Sequence, residues 1–325
     1  MTDFDYGKYF SRVRNAWKMQ VRKDDVNWLE TSKKPQPRHS VVLYLGCNVF
    51  RTAHLAVEIT RVFERLGIDF VAVGGPSFCC GAVHDIQKDR ISADNIGNST
   101  LDKVSEYNPD VMVTWCPECN NQYEDRITNE RALGFPIIHA TEFLMDYRDR
   151  MPWVKEFRGR VALHGHDGRR PEDSARAAQL IAAVPGVTFL GSSAIPDLGN
   201  DCGYPTPPKL GREHFHTLIE SEREKLLALG ADTIATIYHP CQREWAKFTN
   251  PNLSIKNYIS IIATALDCAY DDTQTLIVHA KTPKQVVSET TDFWQSNGLN
   301  SDEAQAIASY DVWPEHKGQA DIYKE

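Results

Sequence analysis

The sequence predicts an α/β protein of two pseudo-repeated Rossmann-like domains, each a parallel sheet covered by helices, with an N-terminal helical extension. Two observations support this fold class. Short apolar runs alternate with longer segments of helical periodicity, a pattern typical of parallel, helix-covered sheets. The same order of segments then recurs in the second half of the 325 residues, which indicates an internal repeat.

The first repeat can be followed segment by segment. Its apolar strands end close to glycine or cysteine, and its helices show apolar side chains at helical spacing. We expect strands at 41–46, 68–73 and 110–115, and helices at 52–66 and 91–106. In the second half, a helix at 213–229 is expected in the place of the helix at 91–106.

Four regions follow from this pattern. They are an N-terminal extension (1–38), a first cysteine-rich domain (39–150), a second, degenerate one (151–290) and a C-terminal helical tail (291–325). The extension has apolar residues at helical spacing. Its helix either packs on its own domain or docks a partner protein.

Composition narrows the function classes. A hydrophobic content of 42% and a charged content of 25% are typical of soluble globular proteins. The net charge of −8 argues against a nucleic-acid-binding face. We expect no membrane span, because no apolar run reaches about 18 residues. The N-terminus lacks the apolar core of a secretory signal, so we expect a cytoplasmic protein whose thiols bind metal or react.

Five cysteines follow the predicted strands of the first domain. They form a single cysteine, a vicinal pair before glycine and a C-x-x-C motif: Cys47, Cys79, Cys80, Cys116 and Cys119. Open α/β sheets bind ligands at the carboxyl ends of their strands, so we expect these thiols to converge. Thiolates select iron–sulfur clusters or zinc, and five ligands exceed the four of structural zinc. The pattern predicts an iron–sulfur cluster.

Three neighbours of these cysteines are candidate site residues. Gly81 suits a left-handed backbone beside the cluster. Arg51 and His84 would neutralise a thiolate-rich site, orient a substrate or carry a proton. Alternatively, both are surface or loop residues with structural partners.

The second half repeats the first at offsets of 120 to 125 residues, but with different ligands. Cys241 and Glu244 align with Cys116 and Cys119, and Cys202 aligns with the vicinal pair. The expected polar set is His164, His166, Asp167, Asp201, Cys202, His239, Cys241 and Glu244. Carboxylates hold iron–sulfide poorly, so we expect no second cluster. Three interpretations of this polar set remain. Its residues fill the former cluster pocket and hydrogen-bond to each other, or Cys202 faces the substrate, or the set binds a second metal, either zinc or iron.

The cysteine pattern resembles the cysteine-rich CCG domains of the heterodisulfide reductase B subunit and its relatives, over roughly residues 40–290. The resemblance implies that the five cysteines hold one noncubane 4Fe-4S cluster as the active centre. In that family two clusters flank a disulfide, whereas this chain keeps one ligand set. The sequence therefore resembles most the B subunits of heterodisulfide reductase-like complexes of sulfur oxidisers.

The resemblance implies an oxidoreductase component acting on a disulfide, a persulfide or carrier-bound sulfur. The chain shows neither a ferredoxin-type cysteine run nor a G-x-G-x-x-G segment, so electrons must pass to other subunits. The family implies a ferredoxin-like C subunit and a flavin-containing A subunit, with a sulfur-carrier or lipoyl protein as a further partner. Two alternatives stay open: an electron relay for a flavin dehydrogenase that binds no substrate, and a scaffold with a structural cluster.

Overall fold

The computed structural model describes residues 4–30, 37–168, 170–195, 198, 202–203, 206–248, 250 and 252–313. Strands in this part of the chain are β1 (Val41–Tyr44), β2 (Phe70–Val73), β3 (Val111–Thr114), β4 (Ile137–His139), β5 (Gly159–Gly165), β6 (Val187–Ala194), β7 (Thr233–Thr236) and β8 (Ser254–Asn257). They form two four-stranded sheets with the orders β2-β1-β3-β4 and β6-β5-β7-β8.

Helices connect the strands in both halves. The α-helices are α1 (Tyr6–Ala16), α2 (Ala53–Arg65), α3 (Ala82–Ile86), α4 (Arg90–Ser105), α5 (Pro117–Gln122), α6 (Thr128–Glu130), α7 (Ala140–Met145), α8 (Pro171–Ala182), α9 (Thr206–Leu210), α10 (Arg212–Ala228), α11 (His239–Trp245), α12 (Tyr258–Ala265), α13 (Thr273–His279), α14 (Pro283–Glu289), α15 (Thr291–Ser296) and α16 (Ser301–Ile307). Shorter 3-10 segments span Trp17–Met19, Lys23–Glu30, Asn48–Thr52, Pro76–Phe78 and Arg148–Arg150, and π-helical turns span Tyr123–Ile127 and Ala308–Val312.

The fold prediction is confirmed. β1 pairs in parallel with β2 and β3, and β5 pairs in parallel with β6 and β7. Identical strand orders with helical crossovers are the architecture expected of a repeated, helix-covered parallel sheet. The N-terminal helical segment is also present, as α1.

The chain divides into two compact units, one formed by 1–57, 69–137 and 271–325 and the other by 58–68 and 138–270. In the first unit, α1 packs on the C-terminal helical region: the Asn15 amide donates to the Asp311 carboxylate at 2.7 Å, and Ala16 and Met19 share a core with Trp294. The N-terminal helix is thus part of its own unit. The predicted limits at residues 38, 150 and 290 stay predictions.

Strand register makes individual positions of the two sheets equivalent. Tyr44 of β1 pairs with Thr114, and His164 of β5 pairs with Thr236. Each threonine hydroxyl then donates to a side-chain amide oxygen six residues later, over 2.6 Å and 3.0 Å respectively. His164 is therefore the counterpart of Tyr44.

The same register revises the sequence alignment after the third strand. The two amide acceptors are Asn120 and Gln242, so the offset there is 122 residues and Cys241 corresponds to Cys119. The 125-residue offset in the sequence instead pairs Cys241 with Cys116, the first cysteine of the C-x-x-C motif. The strand register and these two threonine hydrogen bonds set the alignment, and they remove Glu244 from the position of a cysteine ligand.

Candidate functional site

All five cysteines of the first unit lie at the carboxyl edge of its sheet. Cys47 follows β1, the vicinal pair Cys79 and Cys80 follows β2, and Cys116 and Cys119 begin α5 after β3. Their exposed fractions are only 3–6%. The sheet topology brings together three chain segments that are distant in sequence, as expected for a ligand site of an open α/β sheet.

Hydrogen bonds join the five thiols in one series. Cys79 contacts Cys47 and Cys80, Cys80 also contacts Cys119, and Cys119 contacts Cys116. None of the five takes part in a disulfide bond. Five buried sulfurs thus form one connected group, which is one more than the four ligands of a structural zinc ion.

The thiols differ in how easily they ionise. The pKa of Cys79 is held well below its usual value because its sulfur accepts hydrogen bonds from Cys47 and Cys80 and, at 3.4 Å, from the amide of Gly81. The positive charge of His84 acts in the same direction. The pKa of Cys47 is raised by its hydrogen bond to Cys79 and by burial. Because a cysteine binds metal as the thiolate, Cys79 is the thiol of this group that ionises most easily and is the first available as a ligand.

Two glycines are required by the shape of this site. Gly46 has φ +69°, and a Cβ at that position would lie 2.9 Å from Cys119 Sγ. Gly81 has φ +87°, and its Cβ would overlap the backbone of Ala93. Glycine adopts these left-handed conformations without the steric penalty of other residues, so both positions allow the chain to approach the sulfurs closely.

Arg51 and His84 both contact aromatic residues of the N-terminal segment. The guanidinium of buried Arg51 lies 4.8 Å from the ring centroid of Tyr9. The ring of His84 stacks on Tyr6 at 4.3 Å, and its Nδ1 lies 3.6 Å from Asp89. The charge of His84 also acts on the nearest thiol of the vicinal pair. The roles of both residues in the site stay predictions.

Sequence reasoning missed a group of polar side chains that follow the C-x-x-C motif. Asn120 Nδ2 and both amide atoms of Asn121 are buried without a hydrogen-bond partner among the described residues. The fully buried Tyr123 is close enough to Cys80 and Cys119 for their charges to raise its pKa further, in addition to the larger effect of burial.

Unsatisfied buried groups of this kind are rare in folded proteins and often mark an ion or cofactor that would satisfy them. Hydrogen bonds to cluster sulfurs are also a known way of tuning iron–sulfur centres. The donor set therefore fits a sulfur-rich group, and the N-N-Q-Y run after Cys119 was its sequence signal.

The second unit brings four of its predicted residues together. His164 and His166, at the end of β5, meet Cys202 and Cys241, and the four ligand atoms all lie within 4.8 Å of one another. His164 Nε2 is 3.3 Å from Cys202 Sγ, and His166 Nε2 is 3.1 Å from Cys241 Sγ. The exposed fractions of the four residues are 0–4%.

The remaining predicted residues of that half lie apart from this group. Asp167 is exposed, and Glu244 is paired with Lys247 at 2.6 Å. His239 is fully buried, with neither ring nitrogen hydrogen-bonded among the described residues, but it is not in the group of four. Asp201 lies outside the described residues.

Electrostatics distinguishes the groups of this second cluster. Burial lowers the pKa of His164 and favours the neutral ring. Burial opposes ionisation of Cys241, but the hydrogen bond from Cys202 and the neighbouring His166 hold the pKa of Cys241 well below its usual value. A thiolate beside imidazole nitrogens is the combination of ligands that borderline-soft metal ions bind.

With this geometry established, comparison with known proteins gives a consistent result. Residues 41–124 match the cysteine-rich domain family CCG, and the matched segment contains all five cysteines of the first unit. The chain is also similar to components of heterodisulfide reductase. It is 23% identical over 278 residues to the D subunit of dihydromethanophenazine:CoB–CoM heterodisulfide reductase from Methanosarcina mazei, and 23% identical over 283 residues to that of Methanosarcina acetivorans. Each match covers 80% of this chain and 67% of the relative.

Among solved structures, glutamate racemase from Aquifex pyrophilus matches with a TM-score of 0.32 and 11% identity, over 71% of this chain and 84% of the racemase. A TM-score this low gives no basis for comparing function. Separately, none of the helices in the described residues is both long and apolar enough to cross a membrane. The cytoplasmic location stays a prediction.

Proposed function

We propose that the chain is the iron–sulfur B subunit of a heterodisulfide reductase-like complex. In this proposal Cys47, Cys79, Cys80, Cys116 and Cys119 hold one noncubane 4Fe-4S cluster. When bound, that cluster would supply redox chemistry toward a disulfide, a persulfide or carrier-bound sulfur. The observation that carries the proposal is the convergence of five buried, mutually contacting thiols at the carboxyl edge of one sheet.

The surrounding residues support this assignment. The low pKa of Cys79 provides a thiolate in a buried site, where a free charge would otherwise be disfavoured. Gly46 leaves space beside Cys119 that any side chain would fill. The unpaired amide of Asn121 and the buried hydroxyl of Tyr123 would donate hydrogen bonds to a negatively charged sulfur centre.

Partners are part of the proposal. A ferredoxin-like C subunit and a flavin-containing A subunit would exchange electrons with the chain, and a sulfur-carrier or lipoyl protein would present the substrate. The named relatives are themselves components of a heterodisulfide reductase. Because those relatives are D subunits, assignment to the B type rests on the cysteine pattern.

A second candidate function is supported by burial of the site. All five cysteines are at most 6% exposed, and a cluster covered in this way suits electron relay for a flavin dehydrogenase without substrate binding. Electron transfer needs proximity to a partner centre, whereas attack on a sulfur substrate needs an open approach. The two functions therefore differ in how the cluster responds to added thiols.

Iron content tests the cluster. The full chain purified without oxygen should contain about four irons and acid-labile sulfide, and Cys79→Ser or Cys119→Ser should remove most of both. Cys268→Ser is the matched control, because Cys268 is also buried but belongs to neither thiol group. Negligible iron, or zinc that disappears with Cys79→Ser, would refute the proposal.

Electron paramagnetic resonance of the loaded chain separates the two functions. A catalytic cluster should give a new paramagnetic signal when a chemical oxidant is added in the presence of a thiol or persulfide, and no such signal when the oxidant is added alone. A cluster that changes oxidation state but ignores every thiol would favour the relay.

A further inference from the structure

We infer that His164, His166, Cys202 and Cys241 form a structural zinc site in the second unit, separate from the iron–sulfur site of the first. Structural zinc takes four nitrogen and sulfur ligands in tetrahedral geometry. Here two imidazole nitrogens and two thiol sulfurs converge, each within 4.8 Å of the others. The inference concerns a different set of residues and does not depend on the proposed function.

The size of the group fits one ion. With Zn–N of about 2.0–2.1 Å and Zn–S of about 2.3 Å, tetrahedral geometry places ligand atoms roughly 3.3–3.8 Å apart. The His164–Cys202 and His166–Cys241 separations of 3.3 Å and 3.1 Å lie close to that range. Small movements of the side chains would complete the coordination.

The arrangement argues against a two-iron cluster with mixed ligands. In such a centre both histidines bind one iron and both cysteines bind the other, which keeps nitrogens and sulfurs apart. In this chain each histidine nitrogen instead lies beside a cysteine sulfur. All four ligand atoms also lie within 4.8 Å of one another, as binding of a single tetrahedral ion requires.

Charge and burial indicate which ion and which role. Zn²⁺ with two thiolates and two neutral imidazoles has no net charge, so the complex suits a pocket whose lining is at most 4% exposed. Four protein ligands leave no position for water or substrate, as in structural rather than catalytic zinc sites. Zinc also has no redox chemistry of its own, so its site would stay intact while an iron–sulfur centre changes oxidation state.

The zinc ligand His166 stands where the first unit has a glycine beside its last cysteine. Gly46 and His166 are equivalent by strand register, as are Cys119 and Cys241. In the first unit a Cβ at Gly46 would lie 2.9 Å from Cys119 Sγ. In the second unit a histidine stands at that position, with its Nε2 3.1 Å from Cys241 Sγ. The imidazole of His166 therefore occupies the space beside the cysteine sulfur that Gly46 keeps open in the first unit.

Supporting contacts fix the histidines. The Ser174 hydroxyl is 2.7 Å from both the amide nitrogen and the carbonyl oxygen of His166, which holds the end of β5. The ring centroid of Trp245 lies 4.7 Å from that of His164. Glu222 is fully buried and acts electrostatically on His164, and its carboxylate accepts a hydrogen bond from the Ser193 hydroxyl at 3.0 Å.

Metal analysis of the full chain tests the inference. The purified protein should contain about one zinc per chain, and its zinc X-ray absorption should show two sulfur and two nitrogen ligands. The double variant Cys202→Ser/Cys241→Ser should lose the zinc and keep the iron, whereas Cys79→Ser should lose iron and keep the zinc. Cys268→Ser should keep both.

A second measurement does not depend on how the variants fold. Wild-type chain freed of zinc should take up Co²⁺ with the visible absorption of tetrahedral thiolate cobalt, and should release protons as the ligands that are still protonated bind. Absence of zinc in the wild type, a Cys202–Cys241 disulfide, or iron that falls with the Cys202/Cys241 variant would each overturn the inference. Failure of the cluster proposal would instead appear as missing iron with zinc intact.

Discussion

Gly46 and His166 occupy equivalent positions in the two sheets, each two residues beyond the strand residue that pairs with a buried threonine. This single difference in residue type, glycine in the first unit and histidine in the second, distinguishes the two sites. Glycine leaves the sulfur of Cys119 accessible to a larger centre, whereas the imidazole directly contacts Cys241. The same fold thus places five thiols in one unit and a four-ligand group in the other.

Gly46→Ala should lower the iron content of the anaerobically purified chain. The new Cβ would lie 2.9 Å from Cys119 Sγ, and the left-handed backbone at φ +69° adds about 1–2 kcal/mol of strain. Gly67→Ala is the matched control, because Gly67 has φ +66° but nothing within 4 Å of its Cβ. It should lose similar stability and keep its iron. Equal iron in both variants would refute steric control by Gly46.

Thr114→Val and Thr236→Val should affect different metals. Each removes a buried hydroxyl donor and leaves an amide oxygen, of Asn120 or Gln242, without that hydrogen bond, which costs about 1–3 kcal/mol. Each acceptor directly follows the last cysteine of its site in the sequence. During dialysis against a chelator, Thr114→Val should therefore lose iron faster than wild type, and Thr236→Val should lose zinc faster. Loss of the same metal in both variants would contradict two independent sites.

Asp173 should stabilise the second unit at neutral pH. Its carboxylate is fully buried and accepts hydrogen bonds from Thr141, Arg170 and Tyr238 at 2.8–3.0 Å. Burial alone raises the pKa of this carboxyl group. The positive charges of His139 and Arg170, together with the hydrogen bonds, lower it by more, so the net pKa is below the usual value. Asp173→Asn should therefore reduce the free energy of unfolding at pH 7 by about 3 kcal/mol.

The pH dependence of that difference follows from the direction of the shift. A lowered folded-state pKa gives stability that is complete above the unfolded value of about 3.9 and is lost as pH falls through the folded value. In urea unfolding, the difference in free energy of unfolding between wild type and Asp173→Asn should be constant from pH 7 to 5 and should become smaller below about pH 4. A gap that widens on acidification would contradict the assignment.

Cys268 should be chemically inert in the folded chain. Burial raises its pKa to about 11, so very little reactive thiolate exists at pH 8. Iodoacetamide should label it slowly at that pH, faster as pH approaches 11, and rapidly in urea, as read by peptide mass spectrometry. Rapid labelling of the folded chain at pH 8 would show that Cys268 is accessible, and would remove it as a control.

The fold could be predicted because its signals are local. Apolar runs that end at Gly46, Gly74 and Cys116 define strands, and the spacing in 52–66 and 91–106 closely matches the observed helices. Convergence of the five cysteines also follows from topology alone, since parallel strands place their carboxyl ends at one edge.

The second site was only partly predictable. Its two cysteines and two histidines were among the expected residues, but so were Asp167, His239 and Glu244, which lie outside the group. Alignment by sequence offset puts Glu244 in a ligand position. The hydrogen bond from Thr236 to Gln242, which sets the register in the structure, is not visible in the sequence. Selecting four ligands from eight candidates required three-dimensional distances.

Anomalous diffraction from anaerobic crystals, recorded at the iron and zinc absorption edges, tests the central claim most directly. We expect an iron–sulfur cluster bound by Cys47, Cys79, Cys80, Cys116 and Cys119, and a single zinc ion bound by His164, His166, Cys202 and Cys241. Zinc without iron at the five cysteines would contradict the account.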